Sequence, residues 1–252
     1  MKISVLASGS KGNCTYIETD HTKTLIDVGM SNLYIEKKLI SLGINPNDIN
    51  SIFITHPHVD HVAGLKVFVK KHHPTVYLTA KMYEELKDDL IDYVIIEDKV
   101  VLSDLTVEFF KTSHDASDSV GYIFNSNDKE FVYVTDTGYI NFKSLKKIVN
   151  KDFYAFESNH DIEMLMNNPN YPYHIKQRIL GDKGHLSNMQ CAEYLKKIVG
   201  NKTKYVVLAH LSEQNNTPTL ALDNIKSKLD DSIKIIIASQ NENTELIEIW
   251  LK

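Results

Sequence analysis

Apolar residues along this chain fall into short runs. Ten of them read as β-strands: KISVLAS (2–8), CTYIET (14–19), KTLIDVG (23–29), SIFITH (51–56), TVYLTA (75–80), LTVEFFKTSH (105–114), SVGYIFN (119–125), EFVYVTD (130–136), KYVVLAH (204–210) and IKIIIAS (233–239). Apolar residues at helical spacing predict helices over 31–42, 61–72, 81–88, 142–150, 174–180, 187–199 and 217–229. Ser187 precedes NMQCAEYLKKI and Thr217 precedes PTLALDNIKSKL, a hydroxyl cap in each case. The order of strands then helices, repeated in both halves, predicts an α/β fold of two sheets packed face to face with helices outside.

A second regularity lies at the strand ends. Five runs stop at or near a residue able to bind a metal: Leu25-Ile26 leads to Asp27, Phe53-Ile54 to His56, Phe109-Phe110 to His114, Val132-Tyr133-Val134 to Asp136, and Val206-Val207-Leu208 to His210. A strand end holds a side chain on a rigid support while the next loop leaves it accessible, so ends converging on one rim would build a site.

The densest chemistry is THPHVDH, residues 55–61. His56 and His58 sit two apart, so an extended backbone aims both the same way. Asp60 and His61 follow directly, before the helical run VAGLKVFVKK. Nitrogen and oxygen donors in this mixture suit a divalent ion such as Zn²⁺ or Mn²⁺. A catalytic zinc takes three protein ligands and water, so four donors in one loop with more at other strand ends point to two ions.

Composition narrows the setting. The 252 residues fit one generous α/β domain or two small ones, with 42% hydrophobic and 24% charged residues, as in ordinary globular proteins. Cys14 and Cys191 are far apart and define no disulfide framework, which favours a reduced, cytoplasmic protein. The start, MKISVLASGSKGN, carries no signal-peptide pattern, and no apolar stretch approaches the roughly 20 residues of a membrane span. A net charge of −5 gives no global attraction to nucleic acid, so such binding must rest on a local basic patch. Lys176, Arg178 and Lys183 are candidates, with Tyr171 and Tyr173 available for stacking, and Lys66, Lys70 and Lys71 form a second group. The turn holding Ser8, Gly9, Ser10, Gly12 and Asn13 offers amides that could cradle a phosphate.

The H-x-H-x-D-H motif and the strand-end residues together resemble the metallo-β-lactamase superfamily. LASGSKGNC, THPHVDHVAGL, TSHDASDSVGY, VTDTGYI, ESNHDIEML, YPYHIKQRILGDKGHLSN and AHLSEQNN look like its YycJ (WalJ) branch of bacterial and phage proteins. The resemblance implies a four-layer αββα sandwich of two mixed sheets, forming a single domain over 1–252. It implies two divalent ions, one held by His56, His58 and His114, the other by Asp60, His61 and His210, with Asp136 bridging and Asp27 supporting from behind. It also implies a phosphodiesterase, in this branch a 5′-to-3′ exonuclease on double-stranded DNA, with DNA favoured over RNA as partner. Phosphodiesterases of the family carry a His in a GHxS-like turn, matched by His185, to assist the leaving oxygen; Asp60 and His185 are therefore the catalytic candidates, with Glu157 orienting His185. Ser10, Asn13, His160, Arg178 and Lys183 are the candidate substrate contacts. Two other classes stay open: a hydrolase of a thioester, lactam or cyclic phosphate, and a metal-binding regulator without turnover. Nothing in the sequence specifies the oligomeric state.

Overall fold

The structure, a computed structural model, describes residues 1–249; residues 250–252, the tail of the expected domain, lie outside the described residues. The strands are β1 (Lys2–Ala7), β2 (Cys14–Glu18), β3 (Lys23–Ile26), β4 (Ser51–Phe53), β5 (Thr75–Leu78), β6 (Tyr93–Ile95), β7 (Lys99–Leu102), β8 (Leu105–Lys111), β9 (Val120–Ser126), β10 (Lys129–Val134), β11 (Phe153–Glu157), β12 (Tyr205–Ala209), β13 (Lys234–Ile237) and β14 (Ile247–Glu248). The helices are α1 (Asn32–Ser41), α2 (Val59–Val62), α3 (Leu65–His72), α4 (Ala80–Leu86), α5 (Phe142–Lys147), α6 (Ile162–Asn167), α7 (Tyr173–Leu180), α8 (Asn188–Ile198) and α9 (Pro218–Lys226). None is long and apolar enough to cross a membrane among the described residues.

Two seven-stranded sheets form, in the orders β14-β1-β2-β3-β4-β5-β6 and β13-β12-β11-β10-β9-β8-β7. Each is mixed, antiparallel over one half and parallel over the other: β3 to β6 pair in parallel in the first sheet, β10 to β13 in the second. Helices flank both, as the sequence pattern predicts.

Period-two alternation sorts side chains between two cores. Phe131 and Tyr133 of β10 and Phe153 and Ala155 of β11 face the inter-sheet core, while Val132, Val134, Tyr154 and Phe156 face outward under α8 and α9. Aromatic residues join the sheets: Phe53 stacks on Tyr77 with ring centroids 4.7 Å apart, and meets Tyr122 and Phe124 of the second sheet edge-on at 5.5 Å.

The structure departs from the predicted elements in instructive ways. Strand β11 is central to the second sheet yet has no alternating pattern, because a parallel strand covered on both faces is apolar throughout. The helix expected over 61–72 is broken into α2 and α3, where the Gly64 amide donates to the Val28 carbonyl at 2.8 Å. Strands expected to run to His56, His114 and Asp136 stop at Phe53, Lys111 and Val134. In each case the chemistry-bearing residue sits in the loop just beyond the sheet.

Candidate metal centre

Strands β3, β8, β10, β11 and β12 all release the chain at one rim, where Asp27, His114, Asp136, Glu157 and His210 collect. Asp27, Asp136 and His210 take left-handed backbone angles, with φ of 58°, 55° and 57°. Aspartate and histidine enter that region more readily than most residues, and there it places the His210 ring where regular strand geometry would not. A further loop, after β4, carries His56 and His58 into α2, which presents Asp60 and His61. It is pressed against residues 28–30: a side chain at Gly29 would put its Cβ 1.8 Å from the Asp60 carbonyl oxygen, so only glycine permits this approach.

The imidazoles are held from behind. His114 Nδ1 lies 3.2 Å from the Gly184 carbonyl, which can only accept, so the ring proton sits on Nδ1 and Nε2 keeps its lone pair. His210 Nδ1 donates to Glu157 Oε1 at 2.9 Å, and His61 Nδ1 to Asp27 Oδ2 at 2.7 Å. His56 Nδ1 donates to Thr55 Oγ1 at 3.1 Å, and that hydroxyl donates to Asp27 Oδ2 at 2.7 Å. One nitrogen of each of these four rings is thus fixed by the protein and the other faces a common space, the arrangement that orients imidazole ligands toward a metal. Burial pushes the Asp27 carboxyl up, opposed by His61 and Thr55.

The donor atoms fall into groups lying within 4.8 Å of one another: His56, His58 and His114; Asp60, His61 and His210; and His56, His61 and Asp136. His56 Nε2, His210 Nε2 and Asp136 Oδ2 are buried without a hydrogen-bond partner among the described residues. Buried lone pairs left this way are costly unless something binds them, and imidazole with carboxylate fits a divalent ion. His56, His58 and His114 could therefore hold one ion and Asp60, His61 and His210 a second, with Asp136 facing both groups.

Glu157 is fully occupied. Oε1 accepts from His185 Nδ1 at 2.8 Å and from His210, and Oε2 accepts from the Thr137 and Leu186 amides at 3.0 and 3.1 Å. With no lone pair for substrate, it is a positioning residue rather than a catalytic one. Burial raises its pKa, but His185 and His210 outweigh this and bring it down to about 2. Burial lowers the pKa of His210, but Asp136, Asp60 and Glu157 push it up to about 10.

These two shifts predict how metal-stripped protein responds to pH. The folded value for Glu157 lies below its ordinary 4.5, so its contribution is present above pH 4.5 and lost as pH falls toward 2. The folded value for His210 lies above its ordinary 6.5, so its contribution is present below pH 6.5 and lost as pH rises toward 10. The Tm of stripped protein therefore peaks between pH 4.5 and 6.5 and declines above. Added metal replaces the His210 proton, restores the alkaline limb and releases protons. Thermal scans over this range, with and without metal, check it; a Tm flat from pH 6.5 to 10 in stripped protein would contradict it.

A pocket opens over the centre, lined among others by Ser10, His58, Asp60, His114, Tyr171, Arg178, Lys183 and His185. Three sequence expectations are corrected. Asn13 does not face the pocket: it is buried, its amide donating to the Gly9 carbonyl at 3.1 Å and facing His61 Nε2 at 3.0 Å while its oxygen accepts from the Gly9 amide. It ties the Ser/Gly turn to the centre. His160 is fully buried behind the rim and does not line the pocket; burial lowers its pKa to about 4, keeping the ring neutral. Lys176 is not a surface base but is buried, donating to the Met166 carbonyl at 2.6 Å. Of the second lysine group, Lys66 pairs with Asp89 and Lys71 with Glu36, as on an ordinary solvated helix face.

Sequence reasoning missed Asp115, Asn159, Ser212 and Asn215, which also line the pocket. Asp115 holds the Arg178 guanidinium through Nε, at 2.6 Å, and through Nη2. Its place directly after His114 was the available signal.

Comparison with known proteins agrees with this geometry. The profile of the Metallo-beta-lactamase superfamily matches residues 7–210. Exodeoxyribonuclease YycJ of Bacillus anthracis is 37% identical over 239 residues, covering 92% of this chain and 90% of its own length. Exodeoxyribonuclease WalJ of Streptococcus pneumoniae is 38% identical, covering 87% of this chain and 85% of its own. The crystal structure of the metallo-beta-lactamase fold protein YhfI of Bacillus subtilis superposes with a TM-score of 0.76 over 97% of this chain and 99% of that one, at 14% identity, a likeness of fold.

Proposed function

Since this chain belongs to the metallo-beta-lactamase superfamily and is a metal-dependent hydrolase, we propose that it is a dinuclear phosphodiesterase that degrades double-stranded DNA from the 5′ end. The observation that carries this reading is His185. It stands beside the donor groups, held by Glu157, and its ring reaches the same pocket. A centre that only bound metal would have no use for a further oriented imidazole at its open side. The names of the two relatives support DNA as the substrate class.

His56, His58 and His114 would hold one ion and Asp60, His61 and His210 the other, with Asp136 between them. Bound Zn²⁺ or Mn²⁺ supplies Lewis acidity and an activated water. The remaining work falls to the chain. Glu157 fixes His185 through Nδ1, leaving Nε2 to pass a proton to the departing oxygen. Asp115 steadies Arg178 at the pocket wall, where its free N–H groups, with Lys183 and the Ser10 hydroxyl, would engage phosphate oxygens.

The test is a gel time course. Protein loaded separately with Mn²⁺ and Zn²⁺ receives 5′-phosphorylated duplex DNA labelled at the 3′ end, with Asp60→Ala as control. Progressive shortening of the labelled strand, absent in the control, is expected. Intact DNA under both metals removes the exonuclease reading, and cleavage of RNA or a cyclic nucleotide instead would redirect the substrate class.

A further inference from the structure

We propose that the exposed face of α5, with Lys143, Lys146, Lys147 and Phe142, is a second contact surface that grips the backbone of duplex DNA beyond the end being cut. This rests on the nuclease reading and adds to it where the rest of the substrate lies.

Charge singles the segment out. From Thr137 to Lys151 there are four lysines and no Asp or Glu, in a chain whose net charge is −5. Lys143 and Lys146 are exposed and Lys147 half-buried, and none of the three makes an ion pair among the described residues. Lys11, Lys66, Lys71, Lys111, Lys151 and Arg178 are by contrast matched to carboxylates, while Lys183 in the pocket shares with the α5 lysines the lack of an ion pair among the described residues. Lys143, Lys146 and Lys147 lie at helical spacings of three and four, where like charges repel and weaken a short helix. A polyanion laid across them turns that repulsion into attraction and releases its own counterions.

Aromatic exposure adds to the picture. Phe142 is 71% exposed and Tyr139 43%, and the Lys146 ammonium stands 4.3 Å over the Phe142 ring. An exposed phenylalanine contributes nothing to the core, whereas beside lysines it can pack on the sugars between phosphates.

The surface is rigidly joined to the metal centre. The Gly138 amide donates to the Ser113 carbonyl at 2.9 Å, next to His114, and the Ser144 hydroxyl donates to the Lys111 carbonyl at 3.0 Å. A Cβ at Gly138 would lie 2.4 Å from the Asp182 main chain, so this loop is clamped to the one carrying Lys183 and His185. Lys143 is seven residues from Asp136, so it stands at most about 25 Å away. That reach corresponds to roughly seven base pairs of duplex. A duplex whose end lies at the centre is therefore long enough to meet α5 within its first helical turn.

The triple variant Lys143→Gln, Lys146→Gln and Lys147→Gln tests this against wild type in the metal-loaded enzyme. KM for a duplex longer than one helical turn is expected to rise about tenfold or more at moderate salt, with kcat little changed. The slope of log affinity against log salt should fall by roughly 2 to 3. Hydrolysis of a dinucleotide and of bis(p-nitrophenyl) phosphate should be unaffected, which also shows that the variant is folded. The charge reversal Lys146→Glu should give the same split. Unchanged KM and salt slope on the long duplex, in an enzyme that still cuts it, would overturn the surface while leaving the nuclease reading intact. If wild type neither binds nor cuts duplex DNA, the nuclease reading itself fails, and this proposal with it.

Discussion

Asp136→Ala is expected to abolish metal-dependent turnover, lowering kcat on DNA and on bis(p-nitrophenyl) phosphate alike by at least about a thousandfold. Asp136 is 2% exposed, and its two oxygens look in different directions. Oδ2 lies 3.2 Å from His61 Nε2, while Oδ1 lies 3.8 Å from His114 Nε2 and 3.5 Å from His210 Nδ1. Among the described residues it is the carboxylate that faces imidazoles of both donor groups. Burial alone would raise its pKa, but the surrounding His210, His61 and His56 hold it well below the usual carboxylate range, so it is an anion whether metal is present or not. Removing that charge leaves buried imidazoles with no anion between them and weakens both proposed ion sites at once. Bound metal per chain should fall from two toward one or none by elemental analysis. A variant that kept two ions and full turnover would remove Asp136 from its bridging place.

His185→Ala is expected to separate substrates by their leaving groups. On DNA, where the departing alkoxide needs a proton, kcat should fall about 10²- to 10⁴-fold. On bis(p-nitrophenyl) phosphate, whose phenolate leaves without one, the loss should stay under about tenfold. The geometry requires this asymmetry if His185 is an acid, because Glu157 holds Nδ1 at 2.8 Å and the partly exposed ring presents Nε2 to the pocket. Bound metal should be unchanged. An equal loss on both substrates, or a loss of metal, would make His185 a ligand or a structural residue instead. The four-residue cluster of Asp136, Glu157, His185 and His210 makes that a real alternative outcome.

Much of this centre was legible in the chain. The H-x-H-x-D-H loop is contiguous, so its candidate donors are neighbours whatever the fold does, and strand periodicity ending in His114, Asp136 and His210 marked where the other candidates emerge, with Asp27 behind His61. The two-sheet architecture was legible for the same reason: burial on a sheet imposes a period of two that composition cannot hide. Strand β11 escaped because a strand buried on both faces carries no such period.

What the sequence determined by itself is therefore the layering of the fold and a set of candidate donors that the fold brings together. Only the tertiary structure decided what each remaining polar residue does. Asn13, His160 and Lys176 look available in the sequence and are buried in the fold, while Asp115 joins the pocket by holding Arg178 of α7, 63 residues further along the chain. The physical reason is range. Covalent neighbours and periodic burial are written locally, but the availability of a lone pair or an ammonium depends on which distant carbonyl or carboxylate the packed sheets bring within about 3 Å of it.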